Sequence, residues 1–251
     1  MTGTLYLVPN TLDFGCGSAG DLHDVLPLGT VRTAARLEHW VAENARTTRA
    51  FLKRVDAVQA LSQPLQSIGI VELPRPLKGA KTASPAPLDG LLAPALRGHD
   101  MGLISEAGMP AVADPGALLV QAAHRVHVPV VPMPGPSSLL LALAASGLNG
   151  QSFAFVGYLP VDGGERASRI RELEALSRRA GQTQLVIETP YRNEALLGGL
   201  LATLGPQTRL SVSCGLTLPG AWTRSDSVAG WRASPATLAR DIPAVFSFLA
   251  A

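Results

Sequence analysis

The stretch "LISEAGMPAVADPGALLVQAAHRV", residues 103–126, puts acidic side chains and glycines where a strand should hand over to a helix. An apolar run ends at Ser105, Glu106 and Gly108 follow in a turn, and Asp114 with Pro115 opens an apolar helical segment. Aspartate at a helix cap and proline at the first helical position are good helix-start chemistry, so Asp114 reads as a structural cap. Glu106 and Gly108 come before any cap. Ligands in open α/β folds bind beyond the carboxyl ends of strands, so these two read as site residues.

A second stretch, "VVPMPGPSSLLLALAASG", crowds Pro132, Pro134 and Pro136 around Gly135. Three prolines fix three φ angles, so the chain leaves a strand extended and cannot wander. Ser137 or Ser138 can then cap a helix that ends at Gly147. A stiff crossover between domains and a helix start that receives a polar ligand both fit this pattern. The glycine-rich loop "PNTLDFGCGSAGD" lacks the G-x-G-x-x-G order and the Gly-Lys-Ser/Thr ending of a phosphate loop, which argues against a nucleotide-phosphate cradle. His23, His39, His99, His124 and His127 are scattered, with His124 and His127 suiting a helix end better than a metal site. No metal is expected. Trp222 and Trp231 could stack a base, but packing at a sheet edge is the better reading.

Elements must position these residues. "TLYLVP", "HWVAE", "HDMGLIS" and "VPVVP" read as strands, separated by helix-like "VRTAARL", "TTRAFLKRV", "PLDGLLAPALRG" and "PGALLVQAAHRV". Strand alternating with helix implies right-handed crossovers and a mainly parallel sheet. After the proline joint come "FAFVGYLP", "TQLVIETP" and "RLSVSCGL" as strands among the helices "ERASRIRELEALSRRAG" and "NEALLGGLLATLG". The alternating "AWTRSDSVAGW" and the apolar "PAVFSFLA" suit an antiparallel ribbon at one edge, hence a mixed second sheet. The expected architecture is therefore two α/β domains, 1–134 and 135–251, with "LPRPLKGAKTASPAPLDG" as a mobile surface loop of the first.

Composition sets the limits. The 251 residues are 47% hydrophobic and 16% charged, enough for one large core or two medium ones. A net charge of +2 without a basic block does not advertise non-specific nucleic-acid binding, and it leaves a structured RNA target open. No apolar run is long enough to span a membrane, and "MTGTLYLVPN" has no signal-peptide pattern, so a cytoplasmic protein is expected. Cys16 and Cys214 read as reduced thiols.

In order along the chain, "LYLVPNTLD", "LISEAGMPAVADPGALLVQAA", "VPVVPMPGPSSLLLALAASGL", "FAFVGYLP" and "LVIETPYRNEALL" resemble the successive motifs of the class III S-adenosylmethionine-dependent methyltransferases, the tetrapyrrole methylase superfamily. Within it the chain is similar to the branch of the small-subunit rRNA ribose 2′-O-methyltransferases. The resemblance covers nearly the whole chain, and 103–160 is its most specific part. It implies a homodimer, with S-adenosylmethionine folded in a cleft between two α/β domains. Carried onto matching positions, the cofactor would meet Ser105, Glu106, Ala107 and Gly108, the helix start at Ser137 and Ser138, Tyr158 and Leu159, and the strand end at Glu188 and Thr189. Pro9 and the loop after it would border the acceptor.

A sulfonium methyl is already activated, so such a site needs alignment and grip more than a catalytic triad. An alcohol acceptor, such as an rRNA ribose hydroxyl, must also lose its proton, and a carboxylate could take it. Asp13 and Glu43 are the candidates, with Arg46 positioning phosphate or carboxylate. Glu43 and Arg46 could equally pair with each other at i and i+3, and Glu188 with Arg192 could be a brace. The chain departs from the rRNA branch on the acceptor side: Asn10-Thr11-Leu12-Asp13-Phe14-Gly15 replaces T-P-I-G-N-L, Glu43-Asn44-Ala45-Arg46 replaces E-D-T-R, and Cys214-Gly215-Leu216-Thr217 replaces E-L-T-K. A tetrapyrrole or other small-molecule acceptor, and a non-catalytic cofactor-binding protein, are the alternatives.

Overall fold

The computed structural model describes residues 2–13, 21–74 and 88–250. The chain divides into two compact units, residues 1–136 and 137–251. Cys16, the glycine-rich end of the first loop and most of the proposed mobile loop lie outside the described residues.

The first unit contains β1 (Leu5–Leu7), α1 (Leu28–Arg36), β2 (His39–Ala42), α2 (Ala45–Val58), β3 (Gly69–Glu72), α3 (Ala93–Leu96), β4 (Met101–Ile104), α4 (Ala117–Arg125) and β5 (Val130–Pro132). Its five strands are all parallel, in the order β3-β2-β4-β1-β5. Parallel sheets are covered on both faces, and strand alternation sends consecutive residues to opposite cores. Trp40 and Ile104 join Val31, Ala34, Phe51 and Leu52 on the α1/α2 face. Val41 and Leu103 join Leu92, Leu119 and Ala123 on the α3/α4 face. The split follows from handedness: β1 to β2 to β3 moves one way across the sheet and β3 to β4 to β5 the other, so right-handed crossovers put the two helix pairs on opposite faces. Gly102 lets the Trp40 indole lie across β4, since a Cβ at 102 would come within 2.6 Å of the ring.

The second unit contains α5 (Ser138–Ser146), β6 (Phe153–Phe155), α6 (Gly163–Ala180), β7 (Thr183–Ile187), α7 (Asn193–Thr203), β8 (Arg209–Cys214), β9 (Trp222–Ser227), α8 (Val228–Ala233) and β10 (Ala244–Leu249). The sheet order is β6-β7-β10-β8-β9, with only β6 and β7 parallel, so this sheet is mixed as expected. Leucines of α6 and α7 and Trp231 of α8 pack on Val186, Val212, Phe246 and Phe248. Leu139, Ala142 and Leu143 of α5 cover Leu185 and Val245 on the other face.

Several expectations change. "PLDGLLAPALRG" is a 3-10 turn over Leu88–Leu92 and one short helix, because Pro94 leaves little room for longer helical bonding. Strand β3 was not expected; it is a mostly exposed edge without clear alternation. "FAFVGYLP" is a strand only to Phe155, and Gly157 then turns the chain with φ +75°. Strand β10 is central, between β7 and β8, so of these two segments β9 alone lies at an edge of the sheet. The "VAGW" part of the supposed ribbon is helix α8, with the Ser227 hydroxyl accepting from the Gly230 amide. Trp231 is fully buried and donates to the Leu210 carbonyl at 2.8 Å, and Trp222 packs on the same core, so both tryptophans are packing residues. His124 lies in the last turn of α4 and His127 follows in a left-handed turn at φ +58°. No described helix is long and apolar enough to cross a membrane.

Candidate functional site

The parallel sheet of the first unit has one place where neighbouring connections diverge. From β2 the chain goes outward to β3, and from the adjacent β4 it goes across β1 to β5, which opens a crevice beyond the carboxyl ends of β2 and β4. Glu43 leaves β2 and Ser105-Glu106 leaves β4 there, and the ladder continues from the Glu43 amide to the Ile104 carbonyl at 3.1 Å. Glu43 and Ser105 extend the Val41 and Leu103 series, so both side chains fall on the α3/α4 face of the sheet. The Glu106 amide donates to Glu43 Oε2 at 3.1 Å, which joins two of the expected site residues directly. Glu43 therefore spends its carboxylate on the β4 turn, and no ion pair with Arg46 is present among the described residues. Arg46 lies exposed in the first turn of α2.

The turn after β4 is held by β1. Asn10 and Gly108 form a two-way antiparallel bridge, at 2.9 and 3.2 Å, and the Asn10 side-chain amide donates to the carbonyls of Ser105 and Glu106 at 3.2 and 3.0 Å. Gly108 adopts φ +65° with Leu12 against it, a conformation that a side chain would strain. Buried Ala107 packs beside it. Ser105 is 3% exposed, and its hydroxyl has no hydrogen-bond partner. Buried hydroxyls are normally satisfied, so this one has capacity left for something bound in the crevice.

Asp13 sits differently from the expectation of a free base. Its carboxylate is buried, takes a hydrogen bond from Thr11 Oγ1 at 2.9 Å and pairs with Arg54 of α2 at 2.8 Å. Both carboxylate oxygens are thus engaged, Oδ1 by Thr11 and Oδ2 by Arg54.

Asp114 also departs from expectation. Helix α4 begins at Ala117 with Gly116 at the cap position, φ +131°, so Asp114 is two residues too early to cap it. Gly116 packs against Leu103, where a Cβ would come within 2.9 Å of the leucine side chain, and this close approach delays the helix start. Between Gly108 and Gly116 the chain also holds Ala111 and Ala113 at φ +65° and +66°, values that non-glycine residues adopt only at a cost. Burial, reinforced by the nearby charges of Glu43 and then Glu106, pushes the Asp114 carboxyl up from 3.8 to about 7.

In the second unit, Glu188 follows the last residue of β7. Its Oε1 accepts from the Thr189 amide at 2.7 Å and the Thr189 hydroxyl at 3.2 Å, and it pairs with Arg192 at 2.6 Å. The brace reading of Glu188 and Arg192 is therefore the one observed, and the Glu188 hydrogen bond holds the guanidinium still more firmly protonated. Tyr158 is exposed, while Leu159 is 4% exposed and belongs to the core beneath α6 and α7. Ser137 occupies the cap position of α5 without a side-chain cap bond, and Ser138 begins the helix. Cys214 is a free, buried thiol whose pKa burial raises. Among the described residues no group of three or more His, Cys, Asp or Glu could hold a metal.

The structure thus brings Glu43, Ser105, Glu106 and Gly108 together, whereas the sequence reading assigned Asp114 to a cap and passed over Asn10 and Arg54. An asparagine directly after Pro9 at a strand end was the available signal for Asn10. The pairing of Asp13 with a helix residue 41 positions away left none.

Residues 45–224 match the family described as Tetrapyrrole (Corrin/Porphyrin) Methylases. A protein of Halalkalibacterium halodurans named ribosomal RNA small subunit methyltransferase I is 31% identical over 203 residues, 81% of this chain and 61% of that protein. One of the same name in Mesorhizobium japonicum is 40% identical over 127 residues, 51% of this chain and 42% of that protein. The chain thus spans less than two thirds of the length of these relatives. Among solved structures, a uroporphyrin-III C-methyltransferase from Thermus thermophilus shares the fold, with a TM-score of 0.53, 22% identity, and 99% and 93% of the two chains covered. A cobalt precorrin-4 methyltransferase shares it at a TM-score of 0.55 and 12% identity, over 97% and 94%.

Proposed function

The chain belongs to the tetrapyrrole (corrin/porphyrin) methylase family, and we propose that it is an S-adenosylmethionine-dependent methyltransferase whose acceptor is a ribose hydroxyl of small-subunit ribosomal RNA. The observation that carries the reading is the crevice beyond β2 and β4, where motif residues 105–108 are clamped by Asn10 and Glu43. Similarity to relatives named as ribosomal RNA small subunit methyltransferases supports an RNA acceptor in this reading.

In this reading the backbone groups of Ser105, Glu106, Ala107 and Gly108 grip the cofactor, and the family resemblance adds Ser137, Ser138, Tyr158, Leu159, Glu188 and Thr189 as proposed cofactor contacts. Leu159 can make such a contact only through its backbone, because its side chain is in the core. S-adenosylmethionine supplies an activated methyl group. The protein's own contribution is to hold the acceptor oxygen in line with it and to exclude water. Glu43 fixes the cofactor turn, Asp13 with Arg54 shapes the first loop, and Arg46 offers an exposed cation to an RNA phosphate. The same reading puts the protein in the cytoplasm, as a homodimer.

Two measurements test it together. Calorimetry should show binding of S-adenosylmethionine or its demethylated product, and mass spectrometry of rRNA from a deletion strain should show one ribose methyl missing. No binding at millimolar ligand would reject the enzyme reading, and unchanged rRNA would reject the acceptor.

A further inference from the structure

We infer that Asp114 is the proton acceptor of the reaction. As the acceptor hydroxyl oxygen bonds to the methyl carbon, the carbon–sulfur bond breaks with its electron pair left on sulfur, and the O–H proton passes to a carboxylate oxygen of Asp114. This assignment rests on the methyltransferase reading above and makes that site's chemistry specific.

Four carboxylates, those of Asp13, Glu43, Glu106 and Asp114, lie on the segments that follow β1, β2 and β4, and two of them are already occupied. Asp13 is held by Arg54 and Thr11, and Glu43 holds the Glu106 amide. The carboxylates of Glu106 and Asp114 make no hydrogen bond and no ion pair among the described residues, and of the two it is Asp114 that sits on the segment held by left-handed Ala111 and Ala113. An independent sign of a ligand is the Ser105 hydroxyl, 97% buried, unpartnered, and directed by strand alternation to the face from which α4 and its preceding loop cover the sheet. The loop that delivers Asp114 is held in place at two left-handed alanines and anchored by Gly116 on Leu103, a costly arrangement for a mere connection.

The charges around Asp114 suit the role. It is faced by Glu43 from the end of β2 and by Glu106 from the end of β4, and burial adds to their effect. Its own helix carries no charged side chain before His124 and Arg125 in the last turn. A general base works best when its pKa lies near the working pH, and Asp114, at about 7, meets that condition.

The test follows transfer of labelled methyl from S-adenosylmethionine to small ribosomal subunits from the deletion strain, between pH 5.5 and 9. The wild-type rate should rise through an inflection near pH 7. Asp114→Asn, which keeps the shape of the side chain, should lower kcat about 100-fold and abolish the inflection, with calorimetric affinity for S-adenosylmethionine unchanged. Glu43→Gln removes one of the two like charges and should move the inflection to lower pH. Asp114→Asn with near-normal rate, with a retained inflection, or with lost cofactor affinity would overturn the assignment, as would an unmoved inflection in Glu43→Gln. Failure of wild-type protein to bind the cofactor or transfer the methyl would bring down the functional reading itself, and is seen before any variant is made.

Discussion

Replacing Asp114 with asparagine probes the crevice through folding stability, with no ligand present. The carboxyl is raised from 3.8 to about 7 by burial and by the charges of Glu43 and Glu106. The folded state therefore keeps a proton that the unfolded chain has already lost over that window. Stability contributed by the neutral carboxyl is fully present below pH 3.8 and is lost as pH rises through about 7. A shift of this size would be about 4 kcal/mol at full weight. Asp114 is only partly removed from water, and halving for solvent screening leaves about 2 kcal/mol. Asparagine cannot ionise, so the variant escapes this loss while keeping the pH dependence of every other group. Urea denaturation of both proteins at a series of pH values from 4.5 to 8 measures the difference directly. The variant should gain about 2 kcal/mol on the wild type across the series. Parallel pH profiles would refute the reasoning, because they would mean that Asp114 ionises as easily in the fold as out of it.

Two further substitutions test the frame. Gly102→Ala should destabilise the first unit by about 1–3 kcal/mol, seen as a lower thermal midpoint, because its Cβ would press into the Trp40 indole at 2.6 Å. Arg54→Met should cost about 2 kcal/mol in chemical denaturation by depriving the buried Asp13 carboxylate of its 2.8 Å partner, and Asp13→Asn in the same background should recover part of the loss.

What could be read in advance depended on how local its cause was. The parallel first sheet followed from strands alternating with helices, and the mixed second sheet from the alternating segment at 221–231. The place of Glu106 and Gly108 in the turn after β4 was legible because a strand, a turn and a glycine sit side by side. Asp114 was misread because "DPG" is good cap chemistry by itself, and only the contact of Gly116 with Leu103 moves the helix start past it. The Asn10 clamp and the Asp13–Arg54 pair join residues far apart in sequence, so they appear only once β1, β4 and α2 are side by side. Strand β3 escaped notice because an exposed edge strand has no buried face to impose alternation.

Strand β1 lies in the interior of its sheet, with Leu5 paired to Met101 on one side and Val130 on the other. During synthesis it is made before the other four strands of this sheet, and its second partner emerges only when the chain has grown past Pro132. Until then its backbone donors and acceptors are open to any passing edge. Long-range parallel pairing of this kind folds slowly, because the cost of closing the loop comes before any pairing rewards it. The nascent first unit should thus depend on chaperone protection for most of its time on the ribosome.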